Sequence, residues 1–290
     1  MAKITAAMVK ELREKTGAGM MDCKKALTAT DGDQEKAVDF LREKGIAKAE
    51  KKAGRIAAEG VVAVYRSDDG KVVSMVEVNC ETDFVSATDN FHAVADKIAK
   101  QIADVDPKDL DDLNDSELDG KKVSDLVTET IASIGEKVAI RRFARYAVED
   151  GQIASYIHMG GAIGVLVDLD GGDAQLGKDI AMQVAASNPD SIDSTGVSQE
   201  AIEREKEVAR AKAIEEGKPE KILDRIVEGR IKKYYKEVCL VEQPFVKDDK
   251  KSVQDVLGNV KVRRFARFQL GEGIEKKQED FAAEVAAQIK

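Results

Sequence analysis

The sequence predicts an α+β protein: an N-terminal three-helix bundle, then a duplicated core of antiparallel sheet plus helices, with a helical hairpin inserted in the second copy. Three observations carry this. Three capped, helix-periodic segments lie within the first 45 residues. Hairpin patterns open two later stretches, and each hairpin is followed by a helix pattern. An internal repeat is visible in the chain itself, Ile140-Arg141-Arg142-Phe143-Ala144-Arg145-Tyr146 returning as Val262-Arg263-Arg264-Phe265-Ala266-Arg267-Phe268.

In chain order, Thr5 is placed to cap a helix whose apolar face is Met8, Val9 and Leu12, and Gly17 supplies a left-handed stop. A second helix starts near Met20 and presents Met21, Cys23 or Lys24, Ala26 and Leu27, before Asp31-Gly32-Asp33 turns the chain. Asp33 caps a third helix bearing Ala37, Val38, Phe40 and Leu41, with its stop expected at Gly45. The Ala- and Lys-rich residues 46 to 59 read as a linker, extended or helical. The acids within them and the lack of stacking aromatics speak against an RNA-binding arm.

The first hairpin pairs Val61 to Tyr65 with Val72 to Val78 across Ser67-Asp68-Asp69-Gly70. Val76, Val78 and Cys80 alternate with Glu77 and Asn79, which predicts a half-buried strand. Residues 79–85, Asn-Cys-Glu-Thr-Asp-Phe-Val, read as a loop, and Asp89 as the cap of a helix with Phe91, Val94, Ala95, Ile98 and Ile102 on one face. Eight acids between 104 and 119 lack the glycine that a calcium loop needs at its sixth position, so a solvated acidic loop is expected. The second hairpin pairs Ile153 to Ile157 with Ile163 to Leu169 across Gly160-Gly161, and leads to a helix over 173–187. Residues 198–237 break at Gly217-Lys218-Pro219 into two arms of about 28 Å each, at 1.5 Å per residue. Ile202, Ala209 and Ile214 are expected to face Leu223, Val227, Ile231 and Tyr234. The expected domains are 1–55, 56–150 and 151–290, closing on a helix over 280–289.

Composition narrows the function classes. With 43% hydrophobic and 35% charged residues, no Trp, 8 Phe and 5 Tyr, the chain suits helix-rich domains with aliphatic cores. A net charge of −9 speaks against broad binding to nucleic acid or anionic membrane and favours a protein partner. No segment approaches the roughly 20 apolar residues of a membrane span, and the first residues carry no secretion signal. Cys23, Cys80 and Cys239 are odd in number and widely spaced, which predicts free thiols, no zinc site and a cytoplasmic setting.

Enzyme chemistry finds no footing. Gly172-Asp173-Ala174-Gln175-Leu176-Gly177-Lys178-Asp179 mimics a phosphate loop but places Asp179 where Ser or Thr would ligate magnesium. Cys80 shares a strand face with Val76 and Val78, the setting of an inert thiol and not of a nucleophile. No catalytic residue, cofactor or metal is expected. Phe84, a large aromatic between Asp83 and Val85, suits insertion into a partner, with burial in its own core as the plain alternative.

Long motifs in a fixed order settle that choice by resemblance. Thr82-Asp83-Phe84-Val85, the run 16–27 (Thr-Gly-Ala-Gly-Met-Met-Asp-Cys-Lys-Lys-Ala-Leu), Gln243-Pro244-Phe245-Val246 and the run 271–276 (Gly-Glu-Gly-Ile-Glu-Lys) resemble the bacterial elongation factor Ts family, over the whole chain. The N-terminal bundle resembles ubiquitin-associated domains. The resemblance implies a guanine-nucleotide exchange factor for the GTPase elongation factor Tu, acting in translation elongation without covalent chemistry. It implies that Arg13, Met20 and Met21 touch the GTPase domain, and that Asp83 and Phe84, flanked by Thr82 and Val85, enter beside its magnesium site. It further implies that the turn with His158, Gly160 and Gly161 contacts the partner away from the nucleotide. Ala162 departs from the family pattern, which has Arg there. The helical hairpin is implied to be an interaction element, and is where two copies could pair. An adaptor that only scaffolds a complex is the competing expectation.

Overall fold

A computed structural model describes residues 4–275. Of these, 4–63, 76–143 and 269–275 form one compact unit, and 64–75 with 144–268 form the other.

The first unit begins with helices α1 (Ala6–Thr16), α2 (Met20–Ala29) and α3 (Gln34–Lys52). Thr5 Oγ1 accepts from the Met8 N–H, Asp33 accepts from the Lys36 N–H, and Gly17 ends α1 at φ 67°. Val9, Leu12, Cys23, Ala26, Leu27 and Ala37 are the small buried core. Strands β1 (Glu59–Arg66) and β2 (Val72–Cys80) then form the first hairpin, followed by a single helical turn α4 (Asp83–Ser86) and helix α5 (Asp89–Val105). Helix α6 (Leu110–Asp115), the two-residue strands β3 (Glu117–Leu118) and β4 (Lys121–Lys122), helix α7 (Val123–Ile134) and strand β5 (Ala139–Ala147) complete this part.

Four expectations are corrected here. Helix α3 does not stop at Gly45 but runs through it, because α3 packs on α7 at that point. A Cβ on Gly45 would lie 3.5 Å from Ala132 Cβ and 3.6 Å from Thr128 Cγ2, ordinary contact that leaves room for a methyl but not for a large side chain between the two helices. Thr88, not Asp89, caps α5, its hydroxyl accepting from the Phe91 N–H. The acidic stretch is not a plain loop: Asp109 caps α6 by accepting from the Asp112 N–H, acids fill its first turn, and Leu113 anchors it in the core. Strand β2 is central in the order β1-β2-β5 and buried on both faces, so Glu77 and Asn79 lie inside.

Burying Glu77 demands compensation. Its carboxylate accepts from Arg141 Nη1 at 2.9 Å, Arg142 Nε at 2.6 Å and the Gly271 N–H at 2.8 Å. Burial pushes this carboxyl up, but those three donors outweigh it and hold it below the usual glutamate value.

The second unit carries the second hairpin, β6 (Gln152–His158) and β7 (Ile163–Leu169), antiparallel from Gln152↔Leu169 to His158↔Ile163. Helices α8 (Ala174–Ser187), α9 (Gln199–Glu215) and α10 (Glu220–Val238) follow, then strands β8 (Pro244–Phe245) and β9 (Asp248–Ser252), helix α11 (Val253–Leu257) and strand β10 (Val262–Gln269). The strand order β10-β7-β6 repeats that of the first sheet, with the hairpin's second strand central in both. Val165, Val167 and Leu169 pack with Ile180, Val184, Leu240 and Phe245 in its core. In the α9–α10 pair, Ala209 and Ala213 are buried with Leu223 and Val227. Ile214 is exposed, contrary to expectation, because five residues on from Ala209 is about 140° around the helix.

The duplication extends beyond the repeated arginine-rich strands to buried acid–arginine pairs and to glycines. Asp168, near the end of the central strand β7, is buried against Arg264 Nε at 2.9 Å, as Glu77 is against Arg142. Gly60 and Gly151 both have positive φ, and a Cβ there would lie 2.1 Å from Val78 O and 2.2 Å from Leu169 O. Only glycine permits those close backbone approaches.

Candidate partner-binding site

Residues 82–86 are a capped helical turn and not the loop that their composition suggests. Thr82 starts it, its hydroxyl accepting from the Val85 N–H at 3.4 Å. Four residues of helix are not self-sustaining, so the turn needs bracing from outside. Glu136 supplies it. One oxygen, Oε2, accepts from the Glu81 N–H at 3.1 Å and the Thr82 N–H at 3.0 Å, while Oε1 accepts from Thr82 Oγ1 at 2.6 Å. Glu81 answers by accepting from the Lys137 N–H at 2.6 Å and pairing with Arg55 at 3.2 Å.

With its base held, the turn presents its first two residues to solvent. Asp83 is exposed and Phe84 is 84% exposed, while Thr82 and Val85 are half-buried beneath them. Leaving a phenylalanine so exposed on an ordered element wastes apolar burial unless a partner covers it.

The bundle carries a second exposed apolar feature in the same unit. Met20 and Met21, 59% and 62% exposed, line a shallow groove with Ile4, Val9, Arg13 and Lys24. Methionine adapts to a partner's shape without a fixed rotamer. In the other unit, the turn between β6 and β7 places Met159, Gly160 and Gly161 at φ 48°, 65° and 107°. His158 is exposed and its Nδ1 lies 3.1 Å from the Tyr156 hydroxyl, with Met159 exposed beside it. Ala162 is half-buried and its N–H donates to His158 O. The expected closing helix, 280–289, lies outside the described residues.

The other motifs hold structure. Gln243 is buried, its Nε2 donating to Glu237 O at 2.9 Å and its Oε1 accepting from Gln183 at 3.1 Å. Gly271 binds Glu77. The phosphate-loop mimic is a helix cap: Asp173 accepts from the Leu176 N–H at 2.8 Å, and Asp179 pairs with Lys247 at 2.6 Å. Burial, reinforced by Glu136, pushes the Cys80 thiol up to about 12, and its Sγ donates to Thr82 O. Cys23 and Cys239 are also buried, which raises both thiols. Such thiols are inert. Among the described residues no group of His, Cys, Asp and Glu could hold a metal ion, and no helix is long and apolar enough to cross a membrane.

An α+β chain with buried thiols and three exposed apolar presentation points has the form of a protein-binding factor. The profile of the family described as Elongation factor TS matches residues 81–272. Proteins named Elongation factor Ts from Azoarcus sp. (strain BH72) and Clostridium perfringens (strain SM101 / Type A) are 54% and 52% identical to this chain. The first alignment covers 99% of this chain and 97% of the relative, the second 98% of both. A third, from Clostridium novyi (strain NT), is 52% identical over 99% of both chains. The chain belongs to the elongation factor Ts family.

Proposed function

We propose that this protein is the guanine-nucleotide exchange factor of elongation factor Tu and promotes GDP release without covalent chemistry. Family membership supports the partner, and one structural observation carries the mechanism: Phe84 stands 84% exposed on a turn braced from below. In this reading Phe84 acts as a wedge beside the partner's magnesium site, and Asp83 competes for groups that organise the magnesium shell. Thr82 and Val85 frame the pair. Arg13, Met20 and Met21 dock the bundle on the GTPase domain, and the turn with His158, Gly160 and Gly161 makes a contact away from the nucleotide.

The energetics follow from linkage. A factor that favours the displaced arrangement of the partner's nucleotide loops weakens the nucleotide, and nucleotide rebinding expels the factor by the same free energy. One factor therefore serves many cycles. The test is release of labelled GDP from elongation factor Tu with the factor at substoichiometric amounts. Complete, accelerated release supports exchange; an unchanged rate supports a passive adaptor instead.

A further inference from the structure

We propose that Glu136 is a positioning residue for exchange, fixing the Asp83–Phe84 turn to the segment that leaves the N-terminal bundle. The proposal rests on the exchange reading above. It starts from a geometric fact: the turn's own hydrogen bonds lie within residues 82–88, and the donors at its start converge on one carboxylate from outside. The Glu81 N–H, the Thr82 N–H and the Thr82 hydroxyl all donate to Glu136, at 3.1, 3.0 and 2.6 Å. The Thr82 oxygen then accepts from the Val85 N–H, so Glu136 orients the cap that orients the turn.

Glu136 is itself placed by two regular elements. Gly135 ends α7 at φ 85°, and β5 begins at Ala139, which leaves a short link with little freedom. The next residue extends the clamp to the bundle. Lys137 Nζ donates to Ala53 O at 2.7 Å and Arg55 O at 2.8 Å, just past the end of α3, and Lys52 Nζ donates to Gly135 O. Arg55 closes the circuit on Glu81. The end of α3, the end of β2 and the α7–β5 link are thus joined through consecutive residues 135–137.

The duplication supplies an internal control. Aligning Ile140 with Val262 sets Glu136, four residues upstream, against Gly258, which has no carboxylate. The chain after β7 enters α8 through the Asp173 cap, with no exposed aromatic turn. The clamp accompanies the half that carries Phe84.

The experiment compares full-length Glu136→Ala and Glu136→Gln with the unsubstituted protein. Glutamine retains an oxygen for the two N–H groups and can donate to Thr82 Oγ1, so it preserves the clamp without the charge. With Glu136→Ala, saturating GDP release should fall about tenfold while affinity for nucleotide-free elongation factor Tu changes less than about threefold. Glu136→Gln should stay within about threefold of the unsubstituted rate. Amide protection at Glu81 and Thr82 should be lost in the alanine variant and kept in the glutamine variant. Full-rate release by Glu136→Ala, or release by Glu136→Gln as slow as by the alanine variant, overturns the proposal. If Glu136→Ala is too unstable to compare, Thr82→Val, which removes the hydroxyl bond and the cap, should show the same split between release and binding, and full-rate release by it overturns the proposal equally. If the unsubstituted protein leaves GDP release unchanged, the exchange reading falls and the functional role of Glu136 with it, while amide protection still decides the clamp.

Discussion

Replacing Glu77 with alanine should unfold the first unit well before the unsubstituted protein. The side chain is fully buried and accepts from two guanidiniums and from the Gly271 N–H. Asn79 Nδ2 donates to it as well, at 3.2 Å. Alanine removes the buried acid of Arg141 and leaves Arg142 with Glu272, and removing one partner of such a buried pair costs about 3–5 kcal/mol. At about 2–4 °C per kcal/mol for a unit of this size, the thermal transition should drop by roughly 6–20 °C. Circular dichroism melts at pH 7 measure this. Glu77→Gln, which keeps the shape and part of the bonding, should fall between the two. A transition within about 2 °C of the unsubstituted protein for Glu77→Ala would refute the reasoning. The pH dependence has a fixed sign. Because the folded carboxyl is held below its ordinary value of 4.5, its stabilisation is complete above that pH and is lost as pH falls through the folded value. The gap between Glu77→Gln and the unsubstituted protein should therefore narrow below pH 4.5.

Gly45→Ala should stabilise the bundle by about 0.5–1 kcal/mol, because the added Cβ meets only ordinary contacts and helix propensity improves. Gly45→Leu should instead destabilise by roughly 1–3 kcal/mol by forcing α3 off α7, and thermal melts of the two variants check the opposite signs. The three cysteines, all buried with raised thiols, should not react with a thiol reagent at pH 8 in the native protein and should all react in denaturant. Rapid native labelling of Cys80 would contradict its placement beneath the Thr82 turn.

Features with a local cause were legible in the sequence. Thr5, Asp33 and Ser198 cap helices as their side chains dictate, and both hairpins fall where turn residues interrupt β-patterned runs. What escaped depends on partners distant in the chain. Glu77 alternates with valines like a solvent-facing residue, and its burial follows from the Arg141 and Arg142 side chains and the Gly271 backbone that cover it, which local pattern does not encode. Gly45 looks like a helix stop because the approach of α7 is set by residues 128–132. Of the candidate site, the exposed Phe84 and the paired methionines were legible through motif resemblance. Glu136 was not, since a single glutamate after a glycine carries no signal, although the repeat could have marked it as a position where the two halves differ.

The central claim is that Phe84 acts in the nucleotide-releasing state and not merely in adhesion. The direct measurement is GDP release from elongation factor Tu at saturating Phe84→Ala, with affinity for the nucleotide-free partner measured in parallel. Truncating one hot-spot contact among several costs about 1–4 kcal/mol, so binding should remain measurable. Saturating release should nevertheless be slowed, because a contact made mainly in the displaced state governs that state's population. An unchanged saturating release rate would contradict the account and move the exchange mechanism to another contact.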